Sequence, residues 1–303
     1  MIKNIIKSTV FKIVGTYNGI FNKKKYMEST IAPIDNNFLD INNKKILFLA
    51  PHVDDESIGM GGTIYKIRKN NNTILAFTTD SGGSYTKLTK EELIESRKNE
   101  ARKVSEYLEI GKLEFLDYPD GELTCENKNL VKDIVDILKE FKPDIIFTNS
   151  LIDYHNDHRE TTRSLIRALE EYEFLGDIYL YPINIQYRYG GVNSISILDE
   201  QCLKAKKNLY NIFKSQLGMG FSIFEKLDKW RGKYIDKSYA GAEWFIKFNS
   251  EELKEFEREL FKMNPDFNEL SPVSNEVSFA KSLKSEDIER KYFDLVKKVL
   301  NKD

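Results

Sequence analysis

Ile46-Leu47-Phe48-Leu49-Ala50-Pro51-His52-Val53-Asp54-Asp55-Glu56 is the stretch from which the rest of the chain can be read. Its first five residues form an unbroken apolar run, the pattern of a strand buried on both faces of a parallel sheet. Beyond Pro51 it sets an imidazole among carboxylates where that strand must end. Helical spacing follows from about Ser57 to Lys69. A strand-to-helix turn therefore carries the chemistry, and open α/β sheets bind ligands beyond the carboxyl ends of their strands.

The same rhythm continues outward. Thr73 to Thr79 reads as a second strand, and Thr89-x-x-Glu92 as a capping box opening a long helix. Leu113 to Leu116 is a third strand ending at Pro119-Asp120-Gly121. Leu130 to Phe141 is helical and is stopped by Pro143. Asp144 to Thr148 is a fourth strand, Arg159 to Tyr172 a helix, and Ile178 to Tyr181 a fifth strand closed by Pro182. This order predicts a Rossmann-like, doubly wound α/β fold with a mostly parallel sheet and helices on both faces. After about Leu217 the rhythm is lost. Gly218 to Gly241 reads as an irregular, aromatic-rich insertion, and two helices, Glu251 to Met263 and Ser285 to Leu300, close the chain. The expected organisation is an N-terminal extension over 1–40, a core over 41–220 and a C-terminal appendage packed on it over 221–303.

All three histidines lie in two motifs, one at His52 and one at His155-Asn156-Asp157-His158. The first follows strand one and the second follows strand four. A 3-2-1-4-5 strand order makes those strands neighbours at the point where the order reverses, so the motifs face each other. His52 and Asp55, three apart on the turn, together with His158 supply two imidazoles and one carboxylate. That set leaves a coordination position open, as catalytic zinc sites do. A metal held there lowers the pKa of a bound water toward about 7. Asp54 remains as a base for that water. His155, as an imidazolium held by Asp157, would stabilise an oxyanion or protonate a leaving amine. These are parts for hydrolysis of an amide or ester.

Composition excludes several other classes. A formal net charge of −2 offers no broad basic surface for nucleic acid. Cys125 and Cys202 have no metal-ligand spacing and fit a reducing cytoplasm. No stretch reaches the roughly 18–20 apolar residues that span a bilayer. Met1 to Phe21 is short, basic and amphipathic, and it lacks the long apolar centre of a signal peptide. It suits a helix packed on the protein's own surface or, alternatively, one lying weakly on the inner face of a membrane. The glycines of Gly59-Met60-Gly61-Gly62 and Gly82-Gly83 lack phosphate-loop spacing.

Pro51-His52-Val53-Asp54-Asp55-Glu56 followed by Gly61-Gly62-Thr63 resembles the PIG-L/LmbE-like deacetylases. That family includes N-acetylglucosaminyl-phosphatidylinositol de-N-acetylase and bacterial enzymes that deacetylate GlcNAc-inositol or GlcNAc-malate. His155-Asn156-Asp157-His158 matches the family's His-Pro-Asp-His except at Asn156. Thr79-Asp80-Ser81-Gly82-Gly83, Arg97-x-x-Glu100, Pro119-Asp120-Gly121, Ser215-Gln216 and Ala242-Glu243-Trp244-Phe245 extend the likeness over about residues 44 to 247. Asp153 stands where some members carry a tyrosine. The resemblance implies His52, Asp55 and His158 as ligands, usually of zinc, a set that also accepts Fe(II), Mn(II) or Co(II). It implies Asp54 as base, His155 with Asp157 as oxyanion stabiliser or acid, and Arg97 and Asp120 as substrate contacts. The substrate it implies is an N-acetylated sugar or glycolipid.

Two other readings use the same residues. One is a non-haem Fe(II) enzyme with a facial triad of His52, Asp54 and His158. The other is a non-catalytic sugar-binding relative. For Arg97 the alternative role is pairing with Glu100 along a helix face. For Asp120 it is that of an ordinary turn residue.

Overall fold

The computed structural model describes residues 13–33 and 38–300; the sequence features at 1–12 lie outside them. A π-helical turn, Asn18–Asn22, runs into helix α1, Lys23–Ser29. The alternating part follows as β1 Lys45–Ala50, α2 Asp55–Ile67, β2 Asn72–Thr79, α3 Lys90–Tyr107, β3 Lys112–Tyr118, α4 Lys128–Phe141, β4 Ile145–Asn149, α5 Asn156–Glu171 and β5 Asp177–Tyr181. Then come β6 Ser194–Leu198, α6 Glu200–Tyr210, α7 Ser222–Ile235, β7 Gly241–Phe248, α8 Ser250–Lys262, α9 Glu276–Ser282 and α10 Glu286–Leu300.

The sheet order is β3-β2-β1-β4-β5-β7-β6. The first five strands are parallel in the expected 3-2-1-4-5 order. β1 and β4 pair directly, Phe48 opposite Phe147. β7 joins β5 and β6 antiparallel on either side. Two expectations change here. The stretch 218–241 is not irregular, because Ile223, Phe224, Leu227 and Trp230 bury one face of α7. Residues after 220 also do more than cover a finished core, since β7 is an interior strand.

Each face of the sheet holds its own apolar core. One packs Leu130, Ile134 and Leu138 of α4, Leu165 and Leu169 of α5, and residues of α8 and α10. The other packs Ile58 and Ile64 of α2, Ala101 and Val104 of α3, and Leu227 and Trp230 of α7. Burial on both faces is what the unbroken apolar run of β1 requires. α3 opens with the expected Thr89–Glu92 capping box. α4 ends on Lys142 in the left-handed conformation, immediately before Pro143. These ends fix where β1 and β4 deliver their following residues. Asp54 becomes the N-cap of α2, and His155 the N-cap of α5.

Candidate active site

At the end of β1 the backbone bends sharply. Asp54 has φ 129° and ψ −23°, a conformation costly for any residue with a side chain. Its side chain makes no capping hydrogen bond to α2. Instead Asp54 Oδ1 lies 3.4 Å from Nη2 of Arg97. The strained backbone thus turns this carboxylate away from its own helix. Glu56 accepts the Asp54 N–H at 3.0 Å and the Ser57 hydroxyl at 2.6 Å, which holds the turn from behind.

Asp55 takes the centre. Its Oδ2 lies 3.3 Å from His52 Nδ1 and 3.3 Å from His158 Nε2. The far nitrogen of each ring also faces a carboxylate. His158 Nδ1 is 3.1 Å from Asp153, and His52 Nε2 is 3.2 Å from both Asp120 and Asp157. Outer carboxylates that orient ligating imidazoles are a recurring feature of metal centres. The donor set therefore fits a divalent transition metal held by His52, Asp55 and His158, all three buried. A ring nitrogen of His155 also lies within 4.8 Å of nitrogens of His52 and His158.

The electrostatics follow from burial and these contacts. Burial opposes charge on His158, yet Asp55 and Asp153 outweigh it and raise its pKa to about 10. Burial likewise opposes charge on His52, and Asp120, Asp157 and Asp55 hold it well above the usual value. Burial raises Asp55, but His158 and His52 keep it far below the ordinary carboxylate range. Asp54 is pushed up to about 7 by burial and by Asp55 and Glu56, with Arg97 pulling the other way. Burial, then the charges on His52 and His158, push His155 down to about 4.

Two expected roles change in this geometry. The Asp157 carboxylate does not hold the His155 ring. Its Oδ2 faces His52 and accepts the Gly121 N–H, and its Oδ1 accepts the Leu123 N–H. The His155 contact is to the Asp157 backbone N–H, which donates to His155 Nδ1 at 3.2 Å. An accepting Nδ1 leaves a ring proton on Nε2, the atom that faces away from the Asp157 backbone.

Arg97 is fully buried and pairs with Asp54, with Glu100 at 3.4 Å and, at 3.5 Å, with Ser215. It is not among the residues that line the pocket and lies behind Asp54. The Glu100 pairing read from helix spacing is present. Asp120 does line the pocket, with Oδ2 accepting the Gly83 N–H at 2.9 Å. The facial-triad alternative needs Asp54 between the rings, whereas Asp55 holds that place.

Asn184 has no motif in the sequence, and the contacts of Asp153 and Gln216 appear only in the fold. Asp153 accepts the His155 N–H, the Asn184 N–H and the Asn184 side chain. Its signal was its spacing of two before a histidine N-cap, typical of an Asx turn. Asn184 and Gln216 come from loops beyond β5 and α6 and close the rim with Ile183, Ser84 and Met219. The cavity holds about 220 Å³.

Fold and site together define an open α/β protein with a buried histidine–carboxylate centre at the reversal of strand order. Residues 47–169 match the family model PIG-L, GlcNAc-PI de-N-acetylase, so this part of the chain is similar to the PIG-L/LmbE-like proteins. A diacetylchitobiose deacetylase of Thermococcus kodakarensis is 31% identical over 122 residues, 38% of this chain and 45% of that protein. The match thus spans less than half of that relative's length. The solved N,N'-diacetylchitobiose deacetylase of Pyrococcus horikoshii has 26% identity and a TM-score of 0.57, covering 68% of this chain and 84% of that one. A 4-carboxy-2-hydroxymuconate hydratase, GalB of Pseudomonas putida, has the same fold at 17% identity, with a TM-score of 0.55 over 67% of this chain and 95% of its own. The architecture alone therefore does not choose the reaction.

Proposed function

We propose that this chain is a metal-dependent hydrolase that removes the N-acetyl group from a GlcNAc-type sugar or glycoconjugate. The observation that carries the reading is the single Asp55 oxygen shared at 3.3 Å by nitrogens of His52 and His158, with the Asp54 carboxylate beside it backed by Arg97 at 3.4 Å. The likeness to two diacetylchitobiose deacetylases supports the substrate class. A zinc ion at His52, Asp55 and His158 would supply Lewis acidity and an ionisable water at neutral pH.

The chain's own residues do the remaining work. Asp54, poised at about 7, takes a proton from the attacking water as the new C–O bond forms. His155 presents its Nε2–H to the oxyanion of the tetrahedral centre. Asp54 then returns the proton to the amine nitrogen as the C–N bond breaks, releasing acetate and the free amino sugar. Asp157 and Asp153 hold His52 and His158 in register, and Asp120 offers a carboxylate to sugar hydroxyls at the rim. The test is acetate release by zinc-loaded protein from GlcNAc, diacetylchitobiose and a GlcNAc-bearing glycolipid. Metal bound with no acetate from any of them would end the proposal.

A further inference from the structure

The helical segment over 13–29 is inverted relative to an ordinary surface helix. Its buried residues are Gly15, Asn18 and Tyr26. Asn18 donates to the Glu276 carbonyl at 2.8 Å and to its carboxylate at 2.6 Å, and Lys226 donates to the Gly15 carbonyl at 2.8 Å. The Tyr26 ring packs on Trp230 and Phe279. The residues turned outward are apolar: Ile13 is 66%, Tyr17 52%, Ile20 62% and Phe21 60% exposed. Their spacing of four, three and one places them on one helix face. The Tyr17 and Phe21 rings lie 4.9 Å apart and form a continuous ledge. Polar anchoring inward and an apolar stripe outward mark an interaction surface.

The charge around the stripe selects its occupant. Before Glu28 the chain carries Lys3, Lys7, Lys12, Lys23, Lys24 and Lys25 and no acidic residue. Lys24 and Lys25 follow the stripe directly and are exposed. A second copy meeting this face would bring like charges together, which disfavours self-association. An anionic bilayer satisfies both features, with apolar side chains among the acyl chains and lysines at the phosphates. We infer that Ile13, Tyr17, Ile20 and Phe21, with Lys23, Lys24 and Lys25, form a docking face for an anionic lipid surface. This surface stands independently of the reaction proposed for the pocket.

The supporting module reaches the pocket. Glu276 of α9 binds Asn18, Lys226 and Ser222, the last two in α7. Met219, just before α7, lines the cavity, and Val273, just before α9, donates to the carbonyl of the pocket residue Asn184. The docking helix and the rim of the cavity therefore rest on the same two helices, α7 and α9.

The test is flotation of the full chain with phosphatidylcholine vesicles, with and without phosphatidylglycerol. The expected result is binding only to the anionic vesicles, weakened by salt. Binding should fall about tenfold in a Tyr17→Ser/Ile20→Ser/Phe21→Ser variant and also in a Lys23→Gln/Lys24→Gln/Lys25→Gln variant. These side chains are at the surface, so an unchanged unfolding midpoint certifies the fold of both. No flotation of the parent chain, or equal flotation of the apolar-stripe variant, overturns the inference. So does a dimer of the parent that the same variant converts to monomer, with no lipid binding by either.

Discussion

Asp54 and Asp55 are neighbours in sequence, but the strained turn at Asp54 sends their carboxylates to different partners, Arg97 for one and the two imidazoles for the other. Asp54→Asn should keep its metal and lose roughly 10²–10⁴ in kcat, the usual value of a positioned base. Asp55→Asn should lose the metal itself. Metal content after dialysis, read beside acetate release, separates the two, and the reverse pattern would make Asp54 the ligand. Arg97 lies one step further back, with Nη2 at 3.4 Å from Asp54. Arg97→Met should lower kcat by about 10–100-fold with little change in KM, and Arg97→Lys should restore part of the loss. A raised KM at unchanged kcat would instead put Arg97 on the substrate. The histidines and acids of this centre were legible because their residue types and strand-end positions state a chemistry. The direction of Arg97 and the partner of Asp157 were not. A helix-borne arginine and a motif aspartate each have several neighbours in reach, and only packing selects among them.

Strands β1 to β5 were readable for a local reason: β1, β2, β4 and β5 are centred on apolar runs, and the edge strand β3 alternates apolar and charged residues between Gly111 and Pro119. β6 and β7 carry no such signature. β6 alternates serine with apolar residues, and β7 buries Glu243 at its centre. Glu243 is tolerated there because it accepts from the Gly62 and Thr63 N–H groups and from Lys206, partners distant in sequence. α7 had the right spacing, but its aromatic residues and Gly232 disguised it. The glycines of α2 show how one element seats the site. A methyl group on Gly59 would enter the ring of Tyr181, whose hydroxyl lies 2.7 Å from the Asn149 side-chain oxygen and 3.0 Å from the Leu49 carbonyl. Gly59→Ala should therefore cost about 1–3 kcal/mol by overpacking and weaken metal binding, because α2 carries Asp55. Gly19→Ala, where nothing lies within 4 Å of the added carbon, is the control. Equal unfolding midpoints for the two variants would show that α2 does not depend on this close approach.

At the scale of the whole molecule, the final helices complete a core that the first 220 residues leave open, and one buried acid reports on that closure. No helix among the described residues is long and apolar enough to cross a membrane. Glu289 of α10 is 1% exposed and faces Arg188 at 3.1 Å. Burial, only partly offset by Arg188 and reinforced slightly by Glu286, pushes its carboxyl up to about 7. The sign of the effect follows. Below about 4.5 the acid is neutral in both folded and unfolded chains, and its burial carries no charge penalty. As pH rises, the unfolded chain ionises first, so stability falls until the folded acid also ionises at about 7. The loss is at most roughly 3 kcal/mol. Glu289→Gln removes this titration while leaving Arg188 and the shape of the site in place. Denaturant unfolding of both proteins from about pH 4.5 to 7.5 should show the parent losing stability relative to the variant by up to that amount. Parallel curves would mean that Arg188 keeps Glu289 ionised throughout. α10 would then be held by a charged pair and not by a carboxyl that burial favours neutral.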